Sequence, residues 1–289
     1  MAAIFTVAAA ILSTISLQGA SRDTLLREEY SFGSFEKATR VIVGPQGWMY
    51  VADEGKNTIS LIRRPGDAAV EIGGFGWSQG TFDKPTGLAT DGLNLYVSDQ
   101  GNHRVQRFDR NLNFLSSLST RDTAFSQARF GYPMGVAISP MGDLFILDME
   151  NVRVVKFTAN SQYERTFGDM SSGGRKLRNP RALRVENGRV FVGESDRILV
   201  FDYYGNYMRT IGEGSFTNLQ GFDVGAEGIV VAEENTLEWL TLDGEYRLRT
   251  EIPSILSETP IGPVRDVVLN GGRLYLLDGH HLVVLTVVH

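Results

Sequence analysis

An all-β chain of six four-stranded units is what this sequence predicts, on three observations. First, a short strand ending in an acid recurs six times, as MYVAD, LYVSD, LFILD, VFVGE, IVVAE and LYLLD. The acids are Asp53, Asp99, Asp148, Glu194, Glu233 and Asp278, at spacings of 46, 49, 46, 39 and 45 residues, which is the length of a blade of four antiparallel strands. Second, both faces of these strands are apolar: Met49 and Val51, or Leu95 and Val97, on one side, and Tyr50 with Ala52, or Tyr96 with Ser98, on the other. A sheet apolar on both faces needs cover on both, and a neighbouring blade on each side supplies it. Third, 32 of the 289 residues are glycine, above the usual share of about 7%, as a fold with many tight turns requires. The predicted fold is a six-bladed β-propeller.

Each unit repeats one internal order. A first strand follows a turn, as in KPTGLAT, YPMGVAIS and NPRALRV; the acid-ended strand comes second, a third such as RVVKF or ILVFD follows, and YERTFG or YMRTIG is the fourth. The blades fall at about 38–75, 82–118, 130–168, 179–212, 219–251 and 263–289. The sixth unit, with DVVL, RLYLLD and HLVVLTVV, has only three strands. An unpaired edge there would be an aggregation site. The segment LREEYSFGSF, 26–35, matches the fourth strands of the other units. It is expected to complete the last blade and close the ring, with Tyr30 beside Val284.

Ahead of this strand, IFTVAAAILSTISL runs uncharged from Ile4 to Leu17, too short for a comfortable membrane span. It reads as a signal-peptide core within 1–20, with cleavage after Ala20 and a periplasmic, extracellular or cell-surface location; a buried or amphipathic N-terminal helix is the alternative. The chain has no cysteine, which removes disulfides, thiolate metal sites and cysteine nucleophiles. A net charge of -6 argues against a nucleic-acid partner held by phosphate contacts.

From Phe75 to Asp109 the chain reads FGWSQGTFDKPTGLATDGLNLYVSDQGNHRVQRFD, and FGYPMGVAISPMGDLFILDMENVRVVKF repeats the pattern. These stretches resemble the NHL-repeat family of six-bladed β-propellers. The likeness covers about residues 26–289; it is strong in units two and three and weak in five and six, where LQGFDVGAEGIVVAEENTLEWLTL keeps the spacing but loses the Pro and Arg. It implies a central channel with binding on one face. It implies no single function, because such propellers serve as interaction modules, RNA binders, lyases and lactonases.

The six acids each end a strand where a short turn exposes backbone N–H groups, so they read as structural turn acids. Asn57, Asn102, Asn151 and Asn235 belong to the same turns, and Arg104 and Arg153 are placed to pair with the acids. Histidine is scarce: His103, His280, His281 and His289, with no spacing that indicates a metal site. The amidating lyases of the resembled family require a histidine-held metal in the channel, and no first strand here supplies the histidine. Its lactonases require acids and Asn at the channel mouth, and the residues expected there are not acids. No G-x-S-x-G motif marks a nucleophilic serine. No cofactor or catalytic residue is assigned.

What departs from the repeat is basic. Where Gly87, Gly135 and Gly221 begin first strands, blade one carries Arg40 and blade six Arg265. Blade four adds Arg181, after a loop holding Arg175, Lys176 and Arg178. Arginines focused on a narrow mouth favour an anionic ligand, unless nearby acids such as Asp266 pair with them. Of the linker aromatics Phe75, Trp77, Phe82, Phe125, Phe130 and Tyr132, the repeat buries Phe82 and Phe130, leaving Trp77 and Phe125 as candidate contacts. The expected function is an exported, non-catalytic propeller that binds a partner protein, peptide or glycan, including an anionic group, at this face. The alternatives are a channel lyase or hydrolase acting on an anionic small molecule, and a structural subunit of a cell-surface assembly. Oligomeric state is not legible.

Overall fold

The computed structural model describes residues 25–256 and 261–288; the signal-peptide reading of 1–20 lies outside them. Six antiparallel sheets of four strands each stand around one axis. Five are meanders in sequence order; the sixth joins Asp266–Asn270, Arg273–Leu277 and Leu282–Val288 to the N-terminal strand Leu25–Phe32. The closing pair is antiparallel and sets Tyr30 opposite Val284. Ring closure by the two chain ends is therefore as the repeat predicted. No helix among the described residues is long and apolar enough to cross a membrane.

The two apolar faces of each blade are used as expected. Tyr50, Ala52, Ile59 and Leu61 of blade one pack on Leu95, Val97 and Phe108 of blade two, while Met49, Val51 and Ile62 pack on Tyr275, Leu277 and Val284 of blade six. Each of the six core clusters joins one pair of adjacent blades. Phe82 and Phe130 are fully buried in these seams; truncating either to Ala would cost about 3–5 kcal/mol.

The six acids hold the connections between blades. Asp53 accepts from the backbone N–H of Glu36 at 2.7 Å, Asp99 from Asp83 at 2.8 Å, Asp148 from Gly131 at 3.1 Å, Glu233 from Thr217 at 2.6 Å and Asp278 from Gly262 at 3.0 Å, and Glu194 accepts from Arg178. In every blade the donor belongs to the loop that enters that blade. Arg104 and Arg153 add ion pairs to Asp99 at 2.7 Å and to Asp148 at 2.9 Å, and Arg197 does the same for Glu194 at 2.7 Å. Burial raises the Asp99 carboxyl; for Asp278 burial acts in the same direction but the N–H groups of Gly262, His281 and His280 outweigh it and hold the pKa down. A buried carboxylate satisfied by several donors fixes a loop at little electrostatic cost.

Candidate functional site in the central channel

The six innermost strands are Ala38–Val43, Pro85–Thr90, Pro133–Ile138, Pro180–Glu186, Gly221–Gly225 and Asp266–Asn270. Four of them begin with a one-residue register shift against the second strand, at Ala38/Arg40, Pro85/Gly87, Pro133/Gly135 and Pro180/Ala182. Thr39, Thr86, Met134, Arg181, Gln220 and Arg265 occupy this place in the six blades, and all six line a cavity of about 420 Å³ at the channel mouth. A bulge at a strand's start re-aims a side chain, and four bulged strands complete a ring of six with Gln220 and Arg265, which lie just ahead of their strands.

This register corrects one expectation. Arg265 is equivalent to Arg181, whereas Arg40 stands one residue further in, where the other blades have Gly87, Gly135, Ala182, Gly221 and Asp266. That inner position is a tight neck. A Cβ on Gly87 would lie 2.8 Å from the Cα of Gly135, and one on Gly221 would lie 2.5 Å from Asp266 Oδ1. Small residues in the other blades leave room for the long side chain of Arg40.

Arg40 closes the floor of the mouth. Its guanidinium donates to the carbonyls of Thr39 at 3.0 Å and Arg265 at 3.5 Å and to that of Arg181, so it reaches from blade one to blades six and four. Burial lowers its pKa; Asp266 opposes this, and Arg184 and Arg181 add to it. Arg181 donates to Asn218 Oδ1 at 2.7 Å and to the Leu219 carbonyl at 3.2 Å. Arg265 is exposed. Among the described residues none of the three forms a salt bridge. The acids of the cavity are Glu36, Glu54 and Asp278; Glu54 is paired with Lys37 at 3.2 Å and Asp278 accepts from backbone N–H groups. Positive charge with carbonyl dipoles as its hydrogen-bond partners, at the base of a narrow opening, draws anions.

Asp266, one of the nearby acids weighed as a partner for these arginines, acts on Arg40 but forms its ion pair elsewhere. It is fully buried and pairs with Arg184 at 3.2 Å while accepting from Val41 N–H at 3.1 Å. Arg184 also bonds Asp223 at 3.2 Å, and Asp223 accepts from Leu269 N–H at 2.9 Å. Acids therefore do stand on first strands inside the channel, Asp266 at the neck and Asp223 below it, although none of the six ring positions at the mouth is an acid. Burial drives the Asp223 carboxyl up to about 6, with Arg184 pulling the other way. Neither Arg184 nor Asp223 was singled out from the sequence. Charges inside the apolar runs RALRV, GFDVG and RDVVL were the available signal.

The other candidates lie apart from the mouth. Arg178 is exposed outside the cavity, with its backbone N–H on Glu194. Trp77 is 73% exposed and edge-on to Phe75 at 5.6 Å; Phe125 is 50% exposed and edge-on to Tyr163 at 5.2 Å. Both occupy blade-connecting loops on the mouth face, at its periphery. His280 lines the mouth with Nδ1 against the Phe35 carbonyl at 3.1 Å, His281 faces Asp278 at 3.5 Å, and His103 packs on Tyr132 in another blade. Among the described residues no three His, Asp or Glu side chains are grouped to hold a metal ion.

Comparison with known proteins places these features. The NHL repeat model matches residues 82–108. Protein brain tumor of Drosophila melanogaster is 30% identical over 148 residues, 49% of this chain and 14% of that protein; the B-box type zinc finger protein ncl-1 of Caenorhabditis elegans is 26% identical over 144 residues, 48% and 16%. The match thus spans a small part of each relative's length. Among solved structures, virginiamycin B lyase from Staphylococcus aureus, crystallised as a catalytically inactive variant with quinupristin, superposes with a TM-score of 0.62 at 14% identity, covering 92% of this chain and all of that one. The WD40 propeller domain of Doa1 gives 0.58 at 12% identity, over 90% and 97%. At these identities the likeness is one of fold.

Proposed function

Because the chain is a six-bladed β-propeller carrying an NHL repeat, we propose that it is a non-catalytic binding module. Its channel mouth takes an anionic group of a partner: an acidic protein segment, a peptide or an acidic glycan. The observation that carries this reading is the meeting of Arg40, Arg181 and Arg265, from three blades, on one cavity with no carboxylate among the described residues in a salt bridge to any of them. Arg265 and Arg181 are the direct contacts, and Arg40 supplies charge from below. Trp77 and Phe125 add apolar contact at the periphery for a partner large enough to reach them. The lyase among the structural neighbours contributes its fold and no reaction to this reading.

Capture on immobilised protein tests it. Partners retained by the wild type and eluted by a polyglutamate peptide should be lost from the Arg181→Ala/Arg265→Ala double variant; an identical set on both proteins ends the assignment. Export belongs to the same proposal and rests on the uncharged run Ile4–Leu17. An intact mass starting after Ala20 supports it, and a mature chain retaining residues 1–20 refutes it.

A further inference from the structure

The opposite end of the channel holds a second cavity, of about 440 Å³, below the Arg184–Asp223–Asp266 cluster. It is lined by all six inner strands, where the aliphatic residues Ile42, Ile138, Val185 and Leu269 alternate with polar ones such as Thr90 and Asn270. Two carboxyls face this space. Asp223 is at its base, held by Arg184 and the Leu269 N–H. Glu186 ends the blade-four inner strand and has no hydrogen-bond or ion-pair partner among the described residues. Arg184 is the cation in the lining, and it is shared between Asp223 and Asp266. Lys156, which neighbours Tyr203 together with Glu186, is already held by Asp143 at 3.0 Å and Glu164 at 2.9 Å.

We infer that this cavity is a binding site for a small organic amine: an apolar body packs on its aliphatic residues and an ammonium group pairs with Glu186. A chamber of a few hundred Å³ that sets aliphatic side chains beside a few charged ones has the form of a small-molecule site. The charge balance selects a cation. Asp223, Asp266 and Glu186 outnumber Arg184 and Arg40, the cations that act on them, and a partly buried carboxylate without a cation is costly until one joins it. Burial alone raises the Glu186 carboxyl, and burial outweighs Arg184 in raising Asp223 to about 6, so a further cation would favour the ionised form of both. The inference is independent of the mouth, since the two cavities share no lining residue.

Calorimetric titration of the full chain with tryptamine, set beside its neutral isostere tryptophol and its anionic counterpart indole propionate, tests the inference. Tryptamine should bind at least about tenfold more tightly than either, the worth of one charge-assisted contact. Glu186→Gln, at a strand end beside a turn, should remove most of that preference, and Ile138→Trp, at a partly buried lining position, should weaken binding of all three ligands by narrowing the chamber. Arg265→Ala should leave tryptamine binding as it is. Equal binding of tryptamine and tryptophol, no binding of tryptamine, or unchanged preference in Glu186→Gln would each overturn the assignment.

Discussion

The two ends of the central channel hold nearly equal space, 420 Å³ and 440 Å³, and opposite chemistry. At the mouth, Arg181 at a bulge and Arg265 just ahead of its strand line the opening, and Arg40 donates to three carbonyls. At the far end the same six strands, three to five residues on, present aliphatic side chains with Asp223 and Glu186. Six-fold repetition in the backbone thus coexists with opposite charge along one axis, because the inward positions are the ones the repeat leaves free. The Arg184–Asp223–Asp266 cluster is the partition between the two ends.

Removing the partition should have the largest effect. Arg184→Ala leaves Asp223 and the fully buried Asp266 without their cation, and a broken buried pair costs about 3–5 kcal/mol. Urea midpoints should fall accordingly; a shift under about 1 kcal/mol would mean that the cluster is solvated and divides nothing.

Second comes pH. Burial raises Asp223 from its ordinary 3.8 to about 6 in the folded chain. The folded state therefore holds this proton over a range in which the unfolded state has lost it. The associated stability is present in full below about pH 4 and is lost as pH rises to about 6, an effect of roughly 2–3 kcal/mol. Stability curves of the wild type and Asp223→Asn should diverge over that window, the wild type losing ground as pH increases. Parallel curves would place Asp223 in contact with water.

Charge reversal at the mouth is third. Arg265→Glu should weaken binding of a hexaglutamate peptide by about tenfold or more while moving stability by no more than about 0.5 kcal/mol, since the side chain is exposed. The smallest expected difference is in salt. Raising sodium chloride from about 0.05 to 0.5 M shortens the screening length several-fold, which should weaken hexaglutamate at the open mouth more than tryptamine in the far chamber. Equal loss at both ends would erase the distinction between them.

How much of this was legible in sequence depended on whether a feature repeats. The acids from Asp53 to Asp278 and the plugs Phe82 and Phe130 recur, so their spacing revealed blades, seams and ring closure. The channel lining differs in every blade, and its register hangs on hairpin length. Blade one turns between its first two strands through residues 44–48, blade six through Gly271 and Gly272 alone. Counting back from the acid consequently aligned Arg265 with Arg40 and concealed Asp266 as the residue of the neck. Pro85, Pro133 and Pro180 mark the bulge in three blades; Leu219 and Val264 replace proline in the last two and remove the marker. Arg184 and Asp223 were passed over because a charge within an apolar run has no meaning until the partner strand across the ring is known.

The pairing of Leu25–Phe32 with Leu282–Val288 also governs the order in which a ribosome can deliver this protein. The earliest strand to emerge waits without its partner until the final seven residues of the last strand have been synthesised. Contacts so distant in sequence form slowly, and an unpaired strand edge invites self-association meanwhile. A circular permutant in which 25–32 directly follows 288 would turn this last, longest-range event into a local hairpin and should shorten the vulnerable interval.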